Sequence, residues 1–246
     1  MKPFLPFLCA LLCQAGSSFG APPVPVALLS VSTAEATLDV AAPETRRPVA
    51  TPVPDPYPED VLQHLSGSAL PDARAANERV AEANRKAAAI VAQADRDRRE
   101  SRENAALHAF SLSELGKAVA KAPGFFREEA GKSRTISLLR AGEDGYFEAP
   151  ETVRLVRLHF GSPRKSASAV EVPGTSNAPV SLSMTVTMKV ESADGETLRS
   201  ETFDRVRSYA NSDSLLGPAY AEAVENLVRS AVEEAVARLS AAPSDF

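Results

Sequence analysis

The chain has 246 residues, with 32 Asp or Glu against 27 Lys or Arg and a formal charge of −5 at neutral pH. That balance excludes a generally basic nucleic-acid-binding protein, which needs a positive surplus to meet phosphates. Its two cysteines, Cys9 and Cys13, both lie near the start, so the rest of the chain offers neither disulfides nor thiolate chemistry.

Lys2 is the only charged side chain before Glu35, and an apolar run from Phe4 to Ala15 follows it. The run is far shorter than the roughly 20 residues of a membrane span. Ser18-Phe19-Gly20 places small residues before a cut at Ala21. Residues 1–20 therefore read as a secretory signal peptide, which makes the protein exported, periplasmic or envelope-associated, with no transmembrane segment in the mature chain. A lipoprotein signal is the alternative, with Cys13 as the acylated residue, although Leu12 stands where such a signal wants a small residue.

Residues 21–70 read as a disordered linker. Nine of the forty residues from 21 to 60 are proline, and PVATPVPDPYP runs from Pro48 to Pro58. Proline at this density blocks helix and central strand and favours extended polyproline geometry.

From Pro71 the composition turns to Ala, Arg and Glu, which predicts a long helix over 71–109. Ala73, Ala76, Val80, Ala83, Ala87, Ile90 and Ala94 recur at spacings of three and four, forming a heptad-like seam. An alanine seam permits close approach but buries little area. It is the candidate surface for weak self-association or for a partner helix. Beyond it, DRDRRESRENA is polar nearly all round.

Residues 110–240 predict a two-layer α/β domain, a mainly antiparallel or mixed sheet packed by helices, with 241–246 as a flexible tail. Leu112, Leu115 and Val119 give a short helix its apolar side, capped by Ser111 or Ser113, and Pro123-Gly124 reads as a turn. Strands are expected near Thr135–Arg140 and over Thr152–Phe160, the second with a bulge near Leu155 to explain its change of apolar face. GSPRKSASAVEVPGTSNAP reads as a loop. Val180 to Val190 alternates with period two, putting Val180, Leu182, Met184, Val186, Met188 and Val190 on one face. Ala193-Asp194-Gly195 suits a three-residue hairpin loop pairing Ser192 with Glu196. The register preferred from sequence sets Val190 opposite Leu198 and Leu182 opposite Val206, with Phe203 pointing away; the alternative, a two-residue turn centred on Asp194-Gly195, would pair Val190 with Arg199. Tyr220, Val224, Leu227, Val228, Ala231, Val232, Ala235, Val236 and Leu239 form the stripe of a closing helix that covers the hairpin.

No catalytic, cofactor or metal constellation can be assembled. Gly131-Lys132-Ser133 lacks the glycine that a phosphate loop places five residues earlier, where Phe126 stands. Ser162 and Lys165 have the spacing of serine acyl enzymes, but Pro163 and the missing downstream partner make it a chance match. His64, His108 and His159 are isolated from second metal ligands. No nucleotide, cofactor or nucleic acid is expected.

LSELGKAVAKAPGFF, Leu112 to Phe126, then SLSMTVTMKV, Asp194-Gly195-Glu196-Thr197-Leu198 and the helix from Tyr220 to Leu239 together resemble a group of bacterial envelope domains. These are the N-terminal domain of the Tol–Pal translocation protein, curli-type secretion lipoproteins and the outer-membrane activators of penicillin-binding proteins. The activators are similar also in carrying a proline-rich spacer. The resemblance implies an envelope protein without catalytic residues. The resulting expectation is a non-enzymatic scaffold or adaptor for another envelope protein or complex. The alternative is an enzyme acting on small molecules or the cell wall, with residues scattered in sequence.

Overall fold

A computed structural model describes residues 22–167, 179–210 and 215–241. The segment read as a signal peptide, with Cys9 and Cys13, and residues 242–246 lie outside the described residues. Strands β1 (Val24–Ser32), β2 (Thr37–Asp39) and β3 (Ala42–Pro43) come first, followed by a 3-10 turn at Glu44–Arg46. Helices α1 (Glu59–Leu62), α2 (Ala69–Phe110), α3 (Glu114–Ala120) and α4 (Ala122–Ala130) follow. Next come β4 (Ile136–Leu138), β5 (Tyr146–Phe147), β6 (Arg154–Phe160), β7 (Arg164–Ala167), β8 (Val180–Glu191), β9 (Thr197–Tyr209) and α5 (Gly217–Ala241).

The main sheet is mixed. β1 runs parallel to β6 and β4 and antiparallel to β2, while β8 runs antiparallel to β6, β7 and β9. One face carries the large core: Val156, Leu158 and Phe160 of β6 and the even-numbered residues of β8 pack with Val119, Phe126, Phe110 and the stripe of α5. Ala223, Val224, Leu227, Val228, Ala231, Val232, Ala235, Val236 and Leu239 are all buried, as their helical spacing requires. The architecture is thus the two-layer α/β arrangement expected, with the sheet mixed.

The linker reading of 21–70 is corrected at its start. VPVALLSVS forms β1, in which Val26, Ala27, Leu28, Leu29, Ser30 and Val31 are all buried. A continuous apolar run marks a strand covered on both faces, whereas alternation marks one open face. Val26 and Leu28 face the helices, Ala27 and Leu29 the opposite side, and a bulge between Leu28 and Ser30 returns Val31 to the helix face. Pro22, Pro23 and Pro25 are confined to the strand's beginning, where proline is tolerated.

β6 needs no bulge. Val153 and Leu155 belong to a second, smaller core with Ala27, Leu29 and Phe147, and the even residues face the helices in unbroken alternation. Both faces are apolar at the start of this strand because both are covered there, and beyond Leu155 the second face carries Arg157 and the exposed His159. The Pro123-Gly124 turn is instead the first turn of α4, where proline costs no hydrogen bond. Ser113 is the residue that caps α3, its Oγ accepting from the Gly116 amide at 3.0 Å. Within the stretch read as a loop, 164–167 pair with β8, and 168–178 lie outside the described residues.

The hairpin loop is as read: the Ser192 amide donates to the Glu196 carbonyl at 2.8 Å, and Gly195 takes φ +87°. The register is not. Glu191 pairs with Thr197, but Val190 pairs with Arg199 and Leu182 with Arg207, because one residue, Leu198, is bulged out of the ladder. The slip turns Phe203 inward opposite Val186 and leaves Leu198 and Val206 37% and 58% exposed. Burying one phenyl ring outweighs exposing two smaller side chains. Around Phe203, Glu201 and Arg205 reach Arg238 and Glu234 of α5, and the Arg238 guanidinium lies 4.7 Å above the ring.

Two variants check this packing. Val31→Asp in β1 and Leu227→Asp in α5 each place an unpaired charge in the core, and each should abolish cooperative unfolding in a thermal melt. A melt of either variant within two degrees of the parent contradicts the arrangement.

Candidate functional site

α2 is 42 residues long, about 63 Å at 1.5 Å per residue. Only Ala73, Ala106 and Phe110 of it are buried. Its C-terminal end enters the main core. α3 turns back beneath that end because Gly116 lies directly against the Phe110 backbone, where a Cβ would collide.

The N-terminal end is strapped by the proline-rich segment. The Asn77 side-chain amide donates to the Tyr57 carbonyl at 2.6 Å and accepts from its amide at 3.1 Å. Asn84 does the same with Val53, at 2.8 and 2.9 Å. Two helical turns on α2 thus match four residues of extended chain, which has no internal hydrogen bonds and leaves its peptide groups free for this use. The proline-rich segment beyond the 3-10 turn is therefore an extended strap docked on α2.

The seam residues take different positions as a result. Ala73 is buried, Ala76, Val80 and Ala94 are half-buried, and Ala83, Ala87 and Ile90 are exposed, Ile90 at 69%. The seam is divided into a partly covered first half and an open middle.

Beyond that open stretch, α2 is held at Asp95 and Arg99 by charge and hydrogen bonds. Arg99 donates through Nη1 to the Asp144 carbonyl at 2.5 Å and through Nη2 to that of Val40 at 3.3 Å. Its guanidinium occupies the space where Gly145 would carry a Cβ, and Gly145 has φ +77°. The Tyr146 hydroxyl donates to Asp95 Oδ2 at 2.6 Å, and Arg47 pairs with the Asp144 carboxylate. Arg47 and Arg99 lie 5.4 and 5.9 Å from the Tyr146 ring centroid. Burial and the Asp95 carboxylate raise the pKa of Tyr146, which keeps its proton for that bond.

Beside this clamp a cleft of about 380 Å³ opens between α2 and the sheet. Five arginines line it: Arg46, Arg98, Arg99, Arg102 and Arg157. Thr37, Asp39, Asp95, Glu103 and Tyr146 complete the polar lining. Behind the lining residue Arg157, the buried Glu191 accepts from Arg157 Nε at 3.2 Å and from Lys189 at 2.8 Å. Burial alone would raise the Glu191 carboxyl, but the Lys189 hydrogen bond, the bond and charge of Arg157 and the charge of Lys189 together hold it below the usual carboxylate value. Arg157 Nη1 also donates to Ser30 Oγ at 3.2 Å. The sequence reading missed this convergence. Its only local signal was Arg98 and Arg102, one turn apart within DRDRRESRE.

The rejected motifs stay apart. Gly131 caps α4, and Lys132 pairs with Glu128 and Glu129. Those contacts raise the pKa of Lys132 and, through Lys132 and Arg229, lower that of Glu128. His159 Nδ1 lies 3.0 Å from Ser32 Oγ at the sheet surface. Among the described residues no three His, Cys, Asp or Glu side chains gather as a metal site, and no helix is long and apolar enough to cross a membrane.

No family model and no curated protein matches the chain. Solved structures overlap it in part. A minor lipoprotein from Acinetobacter baumannii aligns with TM-score 0.33 and 14% identity over 50% of this chain and 80% of its own. Rare lipoprotein B from Shewanella oneidensis gives 0.34 and 18% over 50% and 85%. An uncharacterized lipoprotein B from Nitrosomonas europaea gives 0.33 and 14% over 50% and 77%. The likeness is thus distant and lies with bacterial lipoproteins. None of these three is named as a member of the translocation, curli-secretion or activator group, and at these scores the likeness carries no activity, ligand or partner across.

The clamp yields a direct test. Gly145→Ala forces a side chain into the Arg99 site at a left-handed backbone position and should cost about 1–2 kcal/mol. Arg99→Ala removes the same docking without backbone strain. Hydrogen exchange of the α2 amides around 92–104 should quicken in both variants while α5 stays protected. Unchanged exchange in both would show that the clamp does not hold the helix.

Proposed function

We propose that this is a non-enzymatic exported envelope protein that acts as a scaffold or adaptor by binding another envelope protein or complex through the open middle of α2. The observation that carries the reading is the helix itself. Both ends are docked, one in the core and one under the strap, yet Ala83, Ala87 and Ile90 between them face solvent on one seam. Holding about 60 Å of helix in place and leaving its middle seam uncovered makes a presented surface. The small side chains allow a partner helix to approach closely, and Ile90 supplies an apolar anchor. The apolar stripe of α5 is consumed by the sheet and is not available for this.

Export rests on the N-terminal signal pattern, with acylation of Cys13 as its variant. The resemblance of residues 110–240 to the translocation, curli-secretion and activator domains supports an envelope partner. Self-association through the same seam is weak on this reading, since alanines contribute little buried area.

Ala83→Glu with Ala87→Glu should weaken any association without lowering the melting temperature, because both positions are exposed. Sedimentation velocity over a hundredfold concentration range reads self-association, and crosslinking in the envelope followed by mass spectrometry reads a partner. Loss of a crosslinked partner or of a dimer in the double variant is the expected result. Association unchanged by the two glutamates, or no association at all, would remove α2 as the binding surface.

A further inference from the structure

The side chains of Arg46, Arg98 and Arg102 line the cleft beside α2 and make no hydrogen bond, ion pair or ring contact among the described residues. Their neighbours are engaged: Arg99 with two backbone carbonyls, Arg157 with Glu191 and Ser30, and Tyr146 with Asp95. Two acids in the cleft, Asp39 and Glu103, likewise have no such partner. The unpaired guanidiniums therefore outnumber the unpaired carboxylates in one concave space, on a chain whose overall charge is negative.

The positions converge from separate parts of the chain. Arg98 and Arg102 stand one turn apart on α2 and share a face. Arg46 comes from the 3-10 turn after β3, its Nη2 near Gly195 in the β8–β9 loop. The clamp of Arg99, Asp144, Tyr146 and Asp95 fixes the helix wall of the cleft and so fixes the spacing of the free arginines. All five basic residues of the lining are arginine and none is lysine. The guanidinium fork offers paired donors to two oxygens of one group, which an ammonium does not. The cleft, at about 380 Å³, has the size of a small-molecule site.

We propose that this cleft binds a small ligand through an oxyanion group, phosphate or carboxylate. Arg98, Arg102 and Arg46 hold the oxyanion, and Asp39 and Glu103 accept hydrogen bonds from hydroxyl or amine groups of the same ligand. The site is independent of the open seam of α2, which lies further toward the helix N-terminus.

Calorimetric titration of the full chain with inorganic phosphate, pyrophosphate and citrate, each at ionic strength fixed with chloride, tests this. Saturable binding of at least one probe is expected. Preference for pyrophosphate or for citrate tells a phosphoryl ligand from a carboxylate one. Arg98→Gln with Arg102→Gln should weaken that binding at least tenfold at an unchanged melting temperature, and Arg46→Gln should weaken it from a separate element. Arg74→Gln with Arg79→Gln removes the same charge about 35 Å away along α2 and should leave binding intact. No saturable heat beyond chloride for any probe, retained affinity in the Arg98/Arg102 or Arg46 variant, or equal loss in the Arg74/Arg79 control would each overturn the proposal.

Discussion

The parallel pairing of β1 with β6 is the constraint on which the rest of the molecule depends. Parallel neighbours cannot be joined by a hairpin, so the chain between Ser32 and Arg154 has to make a crossover. The long α2, the return through α3 and α4 onto the helix face, and β4 on the other edge of β1 are the parts of that crossover. β1 is also the place where the two cores meet, with Val26, Leu28 and Val31 in one and Ala27 and Leu29 in the other. Each large side chain so buried contributes about 1.5–3 kcal/mol relative to exposure. An element supporting both faces and both neighbours cannot be removed without losing the sheet.

The parts of this fold visible in the sequence were those with one wet face. β8 alternates and α5 repeats at helical spacing because each meets water on one side, and that contrast writes the period into the residues. β1 has no wet side. Its apolar run sits among prolines that favour extended chain outside a sheet, so composition pointed to a spacer. β6 misled in the opposite way: two covered faces looked like a change of phase. The bulge at Leu198 had no local marker, since a single residue displaced from the ladder is decided by what Phe203 gains beneath α5.

The cleft was legible only in fragments. Arg98 and Arg102 could be placed on one side of a helix, but Arg46, Tyr146 and Arg157 arrive from a turn and two strands far away in sequence. The strap was equally hidden. Asn77 and Asn84 look like indifferent helix surface until the extended backbone at Val53 and Tyr57 is laid beside them. In both cases a proline-rich stretch and a charged helix, each featureless alone, acquire a definite arrangement only because the crossover brings them together.

Native-state hydrogen exchange across the whole chain tests the central role of β1 most directly. The amides of Ala27 to Val31 should exchange only through global unfolding, at the same free energy as those of Met184 to Val190 and of Leu227 to Ala235. The strap over 50–58 should open at far lower cost. Fast exchange in β1, at the level of the strap while β8 and α5 remain protected, would contradict the account and return this segment to a peripheral tether.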